Sequence, residues 1–139
     1  MRLELTNKTD LALRAIGHLI DNQDPIAGPV LAGSIGTSTF YLPQVMKPLV
    51  SSGWVTATSG RNGGYILEAD PDRLSVLDVI EAIEGPTDDE RCVLRGAPCP
   101  AEEPCALHTS WVGARDALMN ELRAASVTAA IQPAHVEGD

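Results

Sequence analysis

The residues of this chain best suited to chemistry are three cysteines and a histidine in its second half. They follow the pattern Cys92-x6-Cys99-x5-Cys105-x2-His108, with three prolines interspersed. Proline disfavours helix formation and keeps the chain extended, so the sulfur atoms are free to converge. Thiolates are the ligands that iron–sulfur clusters and zinc prefer. The segment therefore predicts a metal-binding loop.

The identity of the bound group stays open on spacing alone, although an iron–sulfur cluster is favoured. The alternative is a structural zinc held by the cysteines and His108, because Cys105-x2-His108 is an acceptable half-site. A disulfide would leave one cysteine over and suits a reducing compartment poorly. Unrelated free thiols are the remaining interpretation, since the spacing matches no zinc-finger signature closely.

The fourth ligand has two candidates. His108 follows the last cysteine closely and falls in the first turn of a predicted helix, where it is equally well explained as an ordinary hydrogen-bonding side chain. Asp10 is remote in sequence and would reach the site from the same chain or from a second copy. Its plain interpretation is a first-turn carboxylate that interacts favourably with the helix dipole.

The charge distribution of the 139-residue chain decides whether nucleic acid is a plausible partner. The net charge of −9 argues against DNA binding as a whole, because counterion release rewards Lys and Arg. However, residues 1–64 carry +1 and residues 65–139 carry −10. Residues 37–64 contain no Asp or Glu, and their only charged side chains are Lys47 and Arg61. This segment can therefore approach phosphates.

The length predicts a single domain with an appended helix. No segment reaches the ~18 consecutive apolar residues of a membrane span. The N-terminal residues Met1-Arg2-Leu3-Glu4 lack the apolar run of a signal peptide. We therefore expect no membrane partner and a cytoplasmic location, where cysteines stay reduced and more often bind metals than form disulfide bonds.

Helical spacing predicts a helix-turn-helix in the first half of the chain. Apolar residues three and four apart indicate a first helix from about Thr9 to Asn22, capped by Thr6 or by Thr9 itself. A short helix follows over residues 29–34, then a turn at Gly36 and a helix that stops at Gly53. Pro43 is tolerable there only in the first turn.

Two short β-branched segments, residues 54–58 and 65–67, flank the glycine-rich segment 59–64. This pattern indicates a hairpin. A phosphate-binding loop is the weaker interpretation, because such a loop should open a helix. A hairpin after a helix-turn-helix gives a winged helix, so the predicted fold is mainly α with a small β-hairpin wing.

Polar and basic side chains on the second helix of the helix-turn-helix and at the wing tip are candidates for DNA contact. Gln44 can pair with adenine, and Arg61 can enter a minor groove or hold a phosphate. An ordinary solvent-exposed face is the competing interpretation. The candidates are Thr37, Ser38, Thr39, Tyr41, Gln44, Lys47, Arg61 and Asn62.

The second half of the chain adds two helices and a long loop. Ser75 and Asp78 form a capping box before an apolar run that ends at Gly85. Residues 87–104 show no periodicity, and a loop of this length indicates function. A last helix over residues 106–125 carries an apolar seam suited to a partner helix, formed by Leu107, Trp111, Ala114, Leu118, Leu122 and Ala125.

These elements predict four segments. Residues 1–85 form a winged helix-turn-helix, residues 86–105 a cluster-binding loop, and residues 106–132 a dimerisation helix with a C-terminal segment. Residues 133–139 form a flexible tail. His18 and His135 have no nucleophile nearby in sequence, so we expect no enzyme activity.

The chain resembles the Rrf2 family of bacterial transcription regulators over about residues 1–131. Any one of the matching motifs is weak, but together they are specific. They are Met1-Arg2-Leu3, the segment from Thr9-Asp10 to Arg14, Tyr41-Leu42-x-Gln44, the segment from Gly60-Arg61 to Tyr65, the helix from Val79 to Glu84, and the three-cysteine loop.

The resemblance implies that Cys92, Cys99 and Cys105 bind a 2Fe–2S or 4Fe–4S cluster. In one branch of the family the histidine matching His108 is the fourth ligand; in another, the aspartate matching Asp10 ligates across a dimer. The chain departs from the family in its first cysteine gap, which is six residues rather than five. It also has Pro43 at a position where one branch of the family has a polar residue that discriminates between bases.

The resemblance further implies a homodimer that presents two winged helices to a palindromic operator in double-stranded DNA. Such a regulator, for instance a repressor, senses redox state, nitric oxide or iron and cluster status through its cluster. The alternatives are a winged-helix regulator with structural zinc in the same loop and a small electron-transfer iron–sulfur protein.

Overall fold

The computed structural model describes residues 3–88, 90–100 and 102–131. Over these residues the chain forms six helices and one two-stranded antiparallel sheet, which confirms the predicted mainly α fold with a small hairpin. The elements are α1 Asn7–Leu19, α2 Gly28–Ile35, α3 Leu42–Ser51, β1 Val55–Thr58, β2 Gly64–Leu67, α4 Val76–Glu84, α5 His108–Ala124 and α6 Val127–Ile131.

The predicted helix-turn-helix is present, and it is built on α1. Thr6 is the N-cap of α1, since its side chain accepts a hydrogen bond from the Thr9 N–H. Helices α2 and α3 pack against α1. They are joined through Gly36, whose φ of 78° lies in the left-handed region that favours glycine. The core between the three helices is apolar, and its fully buried members are Ala12, Ala15, Ile16, Leu19, Leu31, Ala32, Ile35, Leu42, Val45, Met46 and Leu49.

Helix α3 begins at a point that accommodates Pro43, as the sequence analysis required. Pro43 lies in the first turn, where its missing N–H has no helical partner to lose. A second proline, Pro48, lies inside the helix and cannot donate to the Gln44 carbonyl. The helix nevertheless continues beyond it, because the Ser52 N–H donates to the Pro48 carbonyl at 3.0 Å.

The wing is a hairpin in which Val55 pairs with Leu67 and Thr58 with Gly64. A reciprocal pair of backbone hydrogen bonds, 3.0 and 2.9 Å long, joins Ile26 to Tyr65 and so attaches β2 to the segment before α2. The hairpin is therefore held against the helix-turn-helix at a set position.

We predict that Gly64→Ala detaches the wing. Gly64 has a φ of 153°, and an added Cβ would collide with the backbone carbonyl of Ile26. The loss should be about 2–3 kcal/mol in the free energy of unfolding, measured by urea denaturation. Gly33→Ala is the matched control, because nothing lies within 4 Å of its added Cβ. In helix α2 that change should stabilise the protein by about 0.5–1 kcal/mol. Equal effects of the two substitutions would contradict the prediction.

Helix α4 starts with the predicted capping box, in which the Ser75 side chain accepts from the Asp78 N–H and the Asp78 carboxylate accepts from the Ser75 N–H. Its last residue, Glu84, reaches the start of α1. One carboxylate oxygen accepts a hydrogen bond from the buried Thr9 hydroxyl and another from the Thr6 N–H at 2.9 Å. Since the cysteine loop begins shortly after Glu84, these hydrogen bonds hold the start of the loop beside the start of α1.

Glu84→Gln tests these hydrogen bonds through the pH dependence of protein stability. Burial raises the pKa of the Glu84 carboxyl, but hydrogen bonds from Thr9 and Thr6 outweigh burial and hold the pKa below its usual value. A pKa lowered by folding stabilises the protein above the unfolded-state pKa, and this stabilisation is lost as pH falls through the folded-state pKa. We expect Glu84→Gln to destabilise the protein at neutral pH by about 1 kcal/mol, discounted for solvent screening.

The destabilisation by Glu84→Gln should shrink between about pH 5 and about pH 3, where the wild-type carboxyl becomes protonated. Thermal unfolding of both proteins across this pH range is the measurement. Glu81→Gln is the control, being one turn earlier on α4. A pH-independent difference between the Glu84 variant and wild type would show that the charge is not involved.

The last long helix is shorter than predicted. It spans His108–Ala124, and the chain leaves the helix at Ala125, which is extended, before α6 begins at Val127. The break has a tertiary cause. The Val76 N–H donates to the Ala125 carbonyl at 2.9 Å, and the Val127 N–H donates to the Leu74 carbonyl at 2.8 Å. This short bridge fixes the end of α5 beside the start of α4.

None of the helices in the described part of the chain combines the length and the apolar character needed to cross a membrane. The predicted tail, residues 133–139, lies outside the described residues.

Candidate metal centre and nucleic-acid interface

The three cysteines converge. Their sulfur atoms all lie within 4.8 Å of one another, and the Sγ atoms of Cys92 and Cys105 are 3.4 Å apart. Cys92 is buried, with 8% of its surface exposed, while Cys99 and Cys105 are half-buried. The arrangement can hold a metal ion or a metal cluster through three thiolates.

A turn of backbone positions Cys92. Its N–H donates to the Ala97 carbonyl at 2.9 Å, and its own carbonyl accepts from the Gly96 N–H at 3.0 Å. Gly96 allows this closure with a φ of 66°. The Cys105 carbonyl accepts from the His108 N–H at 3.1 Å, so the third thiol sits at the start of α5.

The environment favours the ionised form of one thiol. The backbone N–H of Leu94 points at the Cys92 sulfur from 3.4 Å, and with the neighbouring thiols it outweighs burial and lowers the pKa of Cys92 to about 7. For Cys99, a hydrogen bond with the Cys105 backbone lowers the pKa, but the two other sulfurs and burial outweigh it, so its pKa is raised. A thiolate ready for metal binding is therefore available at Cys92.

The cysteines open into a cleft of about 390 Å³ whose wall includes His108, Trp111 and Arg115 from α5. Arg115 is mostly buried and forms an ion pair of 2.9 Å with Asp88. This contact fixes the first part of the loop against α5.

The structure separates the two candidate fourth ligands. His108 lines the same cleft as the cysteines, although in the described residues the group of converging ligand atoms consists of the three sulfurs. Asp10 lies in a different cleft, formed by α1 and α6, where its carboxylate pairs with Arg14 at 2.9 Å. Within one chain, therefore, Asp10 is not brought to the thiols.

Most of the candidate DNA-binding side chains are exposed to solvent. On α3, Gln44 and Lys47 are exposed, whereas Tyr41 is half-buried and packs against the core. Thr37 is half-buried, and Ser38 and Thr39 are exposed in the turn before α3. At the wing tip, Arg61 and Asn62 are exposed.

Sequence reasoning passed over one side chain on this surface. Phe40 lies between the candidates Thr39 and Tyr41 and is 89% exposed. The sequence did hold a sign of this exposure. Phe40 is the single phenylalanine of the chain, and it does not fit the spacing of the buried apolar residues of α3.

A helix-turn-helix with an attached hairpin and an exposed recognition helix defines a winged-helix DNA-binding regulator, here with a thiol site. The sequence model of the Rrf2 family, which is described as "Iron-dependent Transcriptional regulator", matches residues 5–133. The HTH-type transcriptional regulator IscR of Escherichia coli is 32% identical over 120 residues, which cover 84% of this chain and 72% of IscR. The chain belongs to the Rrf2 family of transcriptional regulators, as its sequence motifs predicted.

Solved structures show the same fold. CymR, the global cysteine regulator of B. subtilis, superposes with a TM-score of 0.75 at 25% identity, covering 93% of this chain and 96% of CymR. IscR of T. potens superposes with a TM-score of 0.70 at 20% identity, covering 92% of this chain and 85% of that protein.

Proposed function

We propose that this regulator is a cytoplasmic homodimer that senses redox state, nitric oxide or iron and cluster status through an iron–sulfur cluster bound by Cys92, Cys99 and Cys105. The observation that carries the proposal is the convergence of three sulfur atoms within 4.8 Å in a loop. Likeness to IscR over most of the chain supports it.

The donor set fits a cluster. Thiolate sulfur is the ligand that iron–sulfur clusters require, and the Leu94 N–H that faces the Cys92 sulfur stabilises its ionised form. When bound, a cluster would supply redox and nitric-oxide reactivity. The chain's own contribution is to hold three thiols at the end of a cleft that His108 and Trp111 line.

A zinc site is the second candidate, and His108 in the wall of the same cleft favours it, because three cysteines and one histidine form a common zinc site. Tetrahedral zinc, with Zn–S bonds of about 2.3 Å, places its sulfurs about 3.8 Å apart. The 3.4 Å between Cys92 and Cys105 is close to that value. Cys92, Cys99 and Cys105 would hold a cluster with the same thiolates, so metal analysis decides between zinc and a cluster.

The fourth ligand in this proposal is His108 or Asp10. His108 already lines the cleft. To act as a ligand, Asp10 would have to give up its ion pair with Arg14. In this proposal the ligating Asp10 belongs to a second copy of the chain.

DNA binding is assigned to residues 1–85, with α3 in the major groove and the wing against the backbone. Thr37, Ser38, Thr39, Tyr41, Gln44, Lys47, Arg61 and Asn62 are the proposed contacts. Residues 86–105 are the sensing loop. Residues 106–132 pair two subunits, and a palindromic operator follows from two-fold symmetry.

The contact between Glu84 and the start of α1 offers a route for the signal. The loop that holds the thiols begins at residue 86, two residues after Glu84, and the carboxylate of Glu84 accepts hydrogen bonds from Thr6 and Thr9. Loss or oxidation of a cluster would change the loop, and operator occupancy shifts only if that change favours one DNA-binding arrangement.

Anaerobic purification followed by metal analysis tests the proposal. Brown protein with iron and acid-labile sulfide in proportion supports a cluster, whereas colourless protein with one zinc per chain establishes the second candidate. A salt-dependent gel shift on duplex DNA then separates a regulator from a small electron-transfer protein. Unchanged DNA binding after cluster oxidation or nitric-oxide treatment would contradict the sensing role.

A further inference from the structure

Phe40 is an apolar side chain that is almost fully exposed to solvent. It is the only phenylalanine of the chain, and with 89% of its surface exposed it is the most exposed large hydrophobic side chain of the described residues. Single exposed apolar residues are common on protein surfaces. What distinguishes Phe40 is its position, because the neighbouring Tyr41 packs on the core while Phe40 projects from the same turn into solvent.

The turn that carries Phe40 leads directly into the recognition helix α3. The Leu42 N–H donates to the Ser38 carbonyl at 3.1 Å, and the Tyr41 N–H donates to the Ser38 hydroxyl at 3.1 Å. Ser38 thus caps one helical turn that leads into α3. Phe40 occupies the second position of that turn. Side chains at the N-terminal end of a recognition helix are those that reach base edges.

Phe40 also extends the outer face of α3 toward its N-terminal side. Counting by three and four residues from Phe40 reaches Pro43, Gln44 and Lys47, all of which are exposed. The opposite face, with Val45 and Leu49, is buried in the core. The N-terminal part of the exposed face is therefore apolar, since neither Phe40 nor Pro43 offers a hydrogen-bonding group.

We propose that Phe40 contacts the 5-methyl group of a thymine in the major groove and thereby sets the operator sequence. This rests on the proposed assignment of α3 to the major groove. The thymine methyl is the apolar group that the groove displays, and an aromatic side chain is a suitable partner for it. DNA is favoured over a protein partner because residues 37–64 carry no acidic side chain that would repel phosphates.

Selection from a pool of random-sequence duplexes provides the first test. The anaerobically isolated full-length protein should enrich sites with a thymine at one fixed position in each half-site. Phe40→Ala should bind DNA but lose the preference at that position, while Phe40→Leu, which remains apolar, should retain it. Val30→Ala is the matched control, since it truncates an apolar side chain that is 61% exposed on α2. It should leave the enriched sequence unchanged.

Replacing that thymine by deoxyuridine removes only the methyl group and provides the decisive test. Wild-type affinity should fall about fourfold per half-site, the equivalent of ~0.8 kcal/mol for one buried methyl group. Phe40→Ala should bind the two duplexes equally. If wild type is insensitive to every single deoxyuridine, or if Phe40→Ala is as sensitive as wild type, the inference is wrong. If wild type enriches no sequence at all, the DNA-binding assignment itself fails.

An unaltered DNA preference in Phe40→Ala, together with lost transcriptional control, would instead assign Phe40 to a protein contact. Thermal unfolding of the three variants is measured alongside. Since Phe40 packs against little in the chain, its substitution should leave the melting temperature close to that of wild type.

Discussion

Cys92→Ser is expected to abolish the bound metal group while leaving the fold intact. Cys92 is the buried member of the three cysteines, and its sulfur is within hydrogen-bonding distance of both the Cys105 sulfur and the Leu94 N–H. A serine hydroxyl is a poor ligand for the soft metals that thiolates bind. We expect visible absorbance and bound metal to drop to a few per cent of wild type, measured on anaerobically isolated protein.

The fold should survive this substitution because the cysteine loop is separate from the main core. The core cluster consists of side chains from residues 1–85 and from α6, and Cys92 is not a member. The melting temperature of the variant should therefore equal that of metal-free wild type. Glu103→Gln, a change elsewhere in the loop, is the matched control and should keep the full metal content.

The same assay resolves the fourth ligand. His108→Ala and Asp10→Ala should differ sharply, since only the side chain that ligates the group will lower the metal content. If Cys92→Ser kept its metal or cluster in full, the three-thiolate site would be wrong irrespective of the fourth ligand.

Local patterns predicted the elements of this fold well, since the interactions that define them lie within a few residues. The capping box of Ser75 and Asp78 spans three residues, and the left-handed turn at Gly36 follows from a single residue type. The wing was visible because β-branched segments flank a glycine-rich tip. The family followed from several such motifs read together.

Features that depend on distant pairing could not be read from the sequence. The hydrogen bond between Thr9 and Glu84 joins residues 75 positions apart. The end of α5 is set by a backbone bridge between Leu74 and Val127, which no periodicity reveals. The cysteine types and spacing predicted a ligand loop, but the 3.4 Å separation of the Cys92 and Cys105 sulfurs is visible only in the structure.

Leu118→Glu is expected to separate the subunits and thereby weaken operator binding by about 10²–10⁴-fold, the range of avidity that two linked sites provide. Helix α5 is 17 residues long and contains no buried residue. Leu118, in the middle of its apolar seam, is 45% exposed in the single chain. In the homodimer proposed above, a second α5 would cover this apolar face.

The control for this prediction is Asn120→Glu, which places the same charge on the opposite face of α5. Asn120 accepts a hydrogen bond from Arg123 at 3.0 Å, and a glutamate can replace that acceptor. Sedimentation velocity should show a monomer for Leu118→Glu and a dimer for Asn120→Glu. Because Leu118 also lines a cleft with Leu3 and Leu5 of its own chain, thermal unfolding must accompany the measurement. A folded, dimeric Leu118→Glu with wild-type affinity for DNA would place the subunit interface elsewhere than on α5.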